Sequence, residues 1–265
     1  MNRFHTIICN IFVLALVINM SSAGADTYTE DFSKELPFPT NGELIVDNVN
    51  GKISIEGWDK DILLIEATKQ VNVRDEESAR EVFKEIKIEI KVTDNGVEIE
   101  TRRPKKGSDW WDWIFGDNVS YSVSYKIYAP YNAKVKASST NGAIYVQSIS
   151  GKIELKTTNG RIEATAVEGE IRAHTTNGSI EAEIVSLNEV DEIALSTTNG
   201  SITLYLPEDA SFKVRAKTTN GSITCEFPVT IKGEVKKKRL EGVVKEGKID
   251  INLKTTNGSI KIKRV

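Results

Sequence analysis

A chain of 265 residues with 39% apolar and 28% charged side chains has an ordinary globular composition, and six prolines with eighteen glycines exclude collagen-like and linker-like sequences. A formal charge of -3 lacks the basic surplus of a nucleic-acid binder. Of the two cysteines, Cys9 lies in an N-terminal leader and Cys225 stands alone, so the mature chain has no disulfide framework.

The leader comes first. Arg3 and His5 precede an apolar run from Ile7 to Ile18, and Ser21, Ser22, Ala23, Gly24 and Ala25 follow it. This order of basic, apolar and small residues reads as a signal peptide over 1–25, with the mature chain beginning at Asp26. The run is shorter than the roughly 20 residues a membrane-spanning helix needs, and an uncleaved anchor is the alternative. The expected location is periplasmic, cell-surface or extracellular. Losing Arg3 with the leader takes the formal charge from -3 to -4.

Residues 26–39 read as an N-terminal extension and 40–130 as a loose β-repeat region, beginning with TNGELIV, VNGKISI and the alternation from Ile62 to Ala67. Asp75 followed by Glu76 and Glu77, with apolar Ala79, Val82 and Phe83, predicts a short amphipathic helix to Lys84. Ile86, Ile88, Ile90 and Val92 then alternate, Asp94-Asn95-Gly96 turns, and Val97 and Ile99 return, which predicts a hairpin. The segment DWWDWIFGDN at 109–118 gathers three of the four tryptophans. Trp110, Trp111, Trp113 and Phe115 are either an aromatic tip that docks on sugar, membrane or protein, or a loop folded back to cap the stack.

Residues 131–265 carry a regular repeat: STNGAI at 139, TTNGRI at 157, and TTNGSI at 175, 197, 218 and 255. The corner pairs are Asn141-Gly142, Asn159-Gly160, Asn177-Gly178, Asn199-Gly200, Asn220-Gly221 and Asn257-Gly258, and their glycines are spaced by 18, 18, 22, 21 and 37 residues. Gly151 and Gly169 lie midway in the first two periods, so a period of about eighteen residues holds two strands. Each strand alternates apolar and polar, as in Ile162, Glu163 and Ala164, which is the signature of one buried face. A single short strand cannot bury enough surface alone, so the repeat predicts an all-β fold, a parallel β-helix-like solenoid of stacked rungs. An antiparallel sandwich or meander is the alternative. The Asn-Gly pairs are expected to close turns because both residues tolerate positive φ. Stacking would align Asn159, Asn177, Asn199 and Asn220 in a ladder beside columns of threonine. The residues 187–192, 207–211 and 228–247, the last carrying Lys236 to Arg239, are expected loops.

Chemistry is sparse. His174, the only histidine beyond the leader, shares its repeat position with Lys156, Ser196, Lys217 and Lys254, a solvated place rather than a catalytic one. Cys225 takes an inward position shared with Leu204 and Leu155. Glu163 and Glu181 would sit about 4.8 Å apart on adjacent rungs and are the only pair suggesting a glycosidase, but the next rung carries Thr203 there. Neither metal-ligand spacing nor a phosphate-binding loop occurs, so no cofactor is expected.

The TTNGSI series, LPEDASFKVRAKTTNGSI at 206–223 and VNGKISIEGWD at 49–59 resemble the prokaryotic "putative adhesin" domain family, β-strand-repeat proteins of unknown function. The resemblance runs from about residue 40 to the end and implies an envelope-associated protein with no catalytic residues to carry over. The expected function is a non-catalytic exported scaffold, adhesin-like, whose partner is an envelope protein or glycan. Membrane contact falls to the leader or the tryptophan-rich loop. A carbohydrate-active β-helix enzyme and a threonine-ladder surface that orders water or self-assembles are the alternatives.

Overall fold

The computed structural model describes residues 12–19, 26–102, 120–231 and 237–265. The repeat is best seen in β11 (Ile153–Asn159) and β12 (Ile162–Val167), joined through the corner at Gly160. Ile153, Leu155 and Thr157 turn inward while Glu154 and Lys156 turn out, because a strand with one buried face must alternate. β13 (Ile171–Asn177) lies parallel on β11 with Ile153 opposite Ile171 and Asn159 opposite Asn177. β14 (Ile180–Ile184) lies likewise on β12. Each coil thus contributes one strand to each of two facing sheets, one of 11 strands and one of 10. The core is the layer between them, with Ile144, Ile162, Ile180, Ile202 and Ile260 stacked in one column at 1% exposure or less. Each such side chain contributes about 1.5–3 kcal/mol by leaving water.

The coils do not follow one another in chain order at the ends. β9 (Lys134–Asn141) with β10 (Ile144–Gln147), β11 with β12, β13 with β14, and β15 (Glu192–Asn199) with β16 (Ile202–Leu206) stack in sequence. The final coil, β20 (Ile249–Lys254) with β21 (Ile260–Arg264), is inserted between β15/β16 and the earlier coil made of β17 (Phe212–Lys217) and β18 (Ile223–Cys225). The other end mirrors this, for β3 (Glu43–Asn50) with β4 (Ile53–Trp58) lies between β9/β10 and an outer coil of β7 (Gly96–Arg102) and β8 (Ser120–Pro130). The expected succession 199 to 220 is therefore corrected to 199, 257, 220. The cause is that identical Thr-Thr-Asn-Gly-Ser-Ile edges pair equally well with any copy, so chain order does not fix spatial order.

Among the described residues, antiparallel strands cap both sheets at one end of the stack and one sheet at the other. β5 (Ile62–Val73) runs antiparallel to β8 and to β2 (Asp26–Pro37), so the alternation expected as a further repeat at 62–67 is part of an end cap. β1 (Phe12–Asn19), from the segment read as leader, pairs antiparallel with β2 in the full chain. β6 (Lys87–Thr93) and β7 form the expected hairpin. The helix α1 (Glu76–Glu85) is capped by Asp75, whose carboxylate accepts the Ser78 N–H at 2.8 Å, and it buries Ala79, Val82 and Phe83. The excursion at 228–247 is more than a loop, since it contains β19 (Arg239–Val244) antiparallel to β17.

Candidate functional site

The repeated polar residues meet at one corner of every coil. The first threonine of each motif points inward and donates its hydroxyl to the glycine carbonyl of the next coil. Thr157 reaches Gly142 at 3.0 Å, Thr175 reaches Gly160 at 2.9 Å, Thr197 reaches Gly178 at 2.9 Å, Thr255 reaches Gly200 at 2.8 Å and Thr218 reaches Gly258 at 2.8 Å. Beside them runs a continuous carboxamide ladder. Asn220 donates to Asn257, Asn257 to Asn199, Asn199 to Asn177, Asn177 to Asn159, Asn159 to Asn141 and Asn141 to Asn50, each at 2.8 or 2.9 Å.

The glycines serve a purpose other than the one expected. None of Gly142, Gly160, Gly178, Gly200, Gly221 and Gly258 adopts a left-handed φ, and none of their asparagines does. A Cβ on Gly160 would instead lie 2.1 Å from the Gly142 carbonyl oxygen, and one on Gly178 2.0 Å from that of Gly160. The corners stack too closely for any side chain. Left-handed backbone occurs instead just after β10, at Ser148 with φ of 55°, and at the register shift near the end of β12, at Ala166 with φ of 52°.

The ladder ends differently at its two extremes. Asn48 replaces the inward threonine and its amide reaches the Val123 carbonyl at 2.8 Å, linking the stack to the outer coil. At Ser139, the same position one coil later, the hydroxyl is buried without a hydrogen bond among the described residues. Among the described residues the other extreme of the ladder is Asn220.

The outward faces carry the charged residues. His174 is exposed and its Nδ1 lies 2.8 Å from the Ser196 hydroxyl on the neighbouring strand, a pairing on the outer face of an open sheet. Glu163 and Glu181 face each other across β12 and β14, and Glu163 is engaged by Arg161. They lie on an open sheet, with Thr203 and Lys261 continuing the row on β16 and β21. Cys225 is half-buried in the last, three-residue strand, where burial pushes its thiol pKa up and away from reactivity. Burial also pushes the Tyr125 phenol up to about 12, and its oxygen bonds to the Thr101 hydroxyl at 2.6 Å. Among the described residues, no group of three or more His, Cys, Asp or Glu is placed to hold a metal ion.

One feature escaped the sequence. Lys254, Lys217 and Arg239 lie side by side across β20, β17 and β19, a row of like charges that is unfavourable by itself. Arg239 is held by Glu241 at 2.5 Å, and Arg215 lies 3.6 Å from Asp250. Lys254, Lys217, Arg239, Glu241 and Arg215 line a shallow groove of about 390 Å³ whose other walls include Ser196 and Asn252. The shared repeat position of Lys217 and Lys254 was legible, but their adjacency comes from the inserted coil and Arg239 arrives on the cap strand. On the other sheet Trp58 stacks on Tyr128 with centroids 5.2 Å apart, and Lys60 and Lys126 lie over the two rings. The residues singled out in the tryptophan-rich loop, Trp110, Trp111, Trp113 and Phe115, lie outside the described residues, as does Lys236.

Comparison with known proteins gives a family and several structures. The sequence model described as Toastrack DUF4097 matches residues 131–263. A structure of a "putative cell adhesion protein" from Clostridium sporogenes is 18% identical, covering 88% of this chain and 99% of its own, with a TM-score of 0.49. A "putative adhesin" from Bacteroides fragilis is 12% identical over 89% of this chain and 97% of its own, with a TM-score of 0.29. A "putative lipid binding protein" from Parabacteroides distasonis is 11% identical over 89% and 96%, also with a TM-score of 0.29. Nothing among curated proteins matches the sequence.

Proposed function

The chain belongs to the Toastrack DUF4097 family, and on that premise we propose that it is an exported, non-catalytic β-repeat scaffold that presents its sheet faces to a partner in the cell envelope. The observation that carries this reading is the ladder. Five inward threonines and seven asparagines bond along the stack, so the polar residues the sequence repeats most insistently serve the architecture. What remains for recognition is two broad, open, mixed-charge faces. On one of them the row Lys254, Lys217 and Arg239 supplies the chemistry to favour an acidic glycan or protein. Among the described residues no helix is long and apolar enough to cross a membrane, and the leader at 1–25 is the feature that supports export.

The test is crosslinking of the purified protein to intact envelopes, with Lys217→Glu/Lys254→Glu and Trp110→Ala/Trp111→Ala as comparison arms. We expect a defined envelope glycan or protein to be captured and the lysine variant to lose it. Hydrolysis of an envelope polysaccharide that disappears in Glu163→Gln/Glu181→Gln would overturn the reading in favour of an enzyme.

A second reading rests on a different row. Thr140, Thr158, Thr176, Thr198, Thr256 and Thr219 point outward beside the asparagine ladder, spaced by the strand separation of about 4.8 Å. Such a column suits lateral self-assembly or ordered water. Inhibition of ice recrystallisation, or concentration-dependent filaments, lost on changing Thr158, Thr176 and Thr198 to lysine, would favour it.

A further inference from the structure

An Asn-Gly corner can also react. The glycine nitrogen attacks the asparagine Cγ, the new N–Cγ bond closes a succinimide, the Cγ–Nδ2 bond breaks, and ammonia leaves with the proton from the attacking nitrogen. Water then opens the ring at either carbonyl to give aspartate or isoaspartate. Glycine permits this best because it places no side chain in the path, and asparagine is accordingly a thermolabile residue.

The stack restrains the attacking nitrogen at six corners. The N–H of Gly51 donates to the Asn141 carbonyl at 2.9 Å, Gly142 to Asn159 at 3.0 Å, Gly160 to Asn177 at 3.0 Å, Gly178 to Asn199 at 2.9 Å, Gly200 to Asn257 at 2.9 Å and Gly258 to Asn220 at 3.0 Å. Each nitrogen would have to break that bond and swing toward its own asparagine. Gly221 is the exception. Its N–H has no acceptor among the described residues, where β17 and β18 form the outermost coil. It is exposed, whereas the other six glycines are half-buried.

Two further observations single out the same corner. The cap strand β19 covers β17 only as far as Lys217, with two more bonds, from the Thr218 N–H to the Lys238 carbonyl and from Lys238 Nζ to the Thr219 carbonyl at 2.7 Å, and its pairing stops short of Asn220. The Asn220 side chain donates to Asn257, but its own Oδ1 accepts no hydrogen bond among the described residues.

We propose that Asn220-Gly221 is a built-in deamidation site, selected by its place at the open end of the stack. Conversion to aspartate or isoaspartate removes the Nδ2 that donates to Asn257, so the last rung of the ladder is lost with it.

The sequence supplies its own control, since TTNGSI recurs unchanged at 175, 197, 218 and 255. Local sequence gives Asn177, Asn199, Asn220 and Asn257 the same intrinsic reactivity. The purified full-length protein is incubated at mildly alkaline pH and digested with trypsin, and the gain of one mass unit is followed by mass spectrometry in the peptides starting at Thr218 and Thr255 and in the one holding Asn177 and Asn199. We expect Asn220 to convert faster than the other three by about five-fold to ten-fold, the ratio set by freeing one hydrogen-bonded nitrogen. In urea the four rates should converge. Equal rates in the folded protein, a faster Asn257, or a preference for Asn220 that persists in urea would each overturn the proposal.

Discussion

Gly160 illustrates how a residue can be required by its neighbours' positions rather than by its own backbone. Its φ is unremarkable, yet a Cβ there would stand 2.1 Å from the Gly142 carbonyl oxygen of the next corner, which the Thr157 hydroxyl also holds in place. Gly160→Ala is therefore expected to lower stability by about 1–3 kcal/mol, seen as a lower urea midpoint with an unchanged slope. The inward hydroxyls offer a paired comparison. Thr175→Val keeps the volume but removes the bond to the Gly160 carbonyl, and a cost of about 1–2 kcal/mol is expected. Ser139→Ala removes a buried hydroxyl with no partner among the described residues, so it should leave the urea midpoint unchanged or raise it.

At the scale of the strand, the inserted coil is tied to its neighbours by more than backbone. Glu192 on β15 accepts from Arg172 on β13 at 2.7 Å and from Asn252 on β20 at 3.0 Å, so one carboxylate joins three adjacent strands. The bond from Arg172 holds the Glu192 pKa below the ordinary glutamate range. A carboxylate whose folded pKa is depressed stabilises the fold above its unfolded pKa, and that contribution disappears as pH falls through the folded value. Glu192→Gln should thus cost a little at neutral pH, under about 1 kcal/mol because the groups are partly exposed. The gap between variant and parent should close in acid, below the depressed pKa. Urea unfolding across a pH series measures both, and a gap that persists unchanged in acid would exclude the ion pair as its source.

At the scale of the molecule, the leapfrogged ends make the stack less modular than its repeats suggest. In a simple solenoid the last coil could be removed and its neighbour would become the new end. Here β20 and β21 lie inside, and among the described residues β17 and β18 pair with the stack only through them. Ending the chain at Gly247 is expected to release β17, β18 and β19 together, and hydrogen exchange should show rapid amide exchange throughout 212–244 while β11 to β14 stay protected. Protection retained over 212–217 would mean that β17 can re-pair directly with β15.

The sequence by itself determined the strand grammar, the two-strand coil, the helix at 76–85 and the hairpin after it, because these depend on side-chain alternation and local capping, which are written in neighbouring residues. It also determined that threonine and asparagine would align in columns, since a constant period puts like on like. What only the tertiary structure decided is which coil lies against which, why the corners need glycine, and where the cations of Lys254, Lys217 and Arg239 meet. Four copies of one hexapeptide make interchangeable edges, so the order of the coils rests on the connecting segments and end strands, whose pairing is non-local and leaves no periodic trace in the chain.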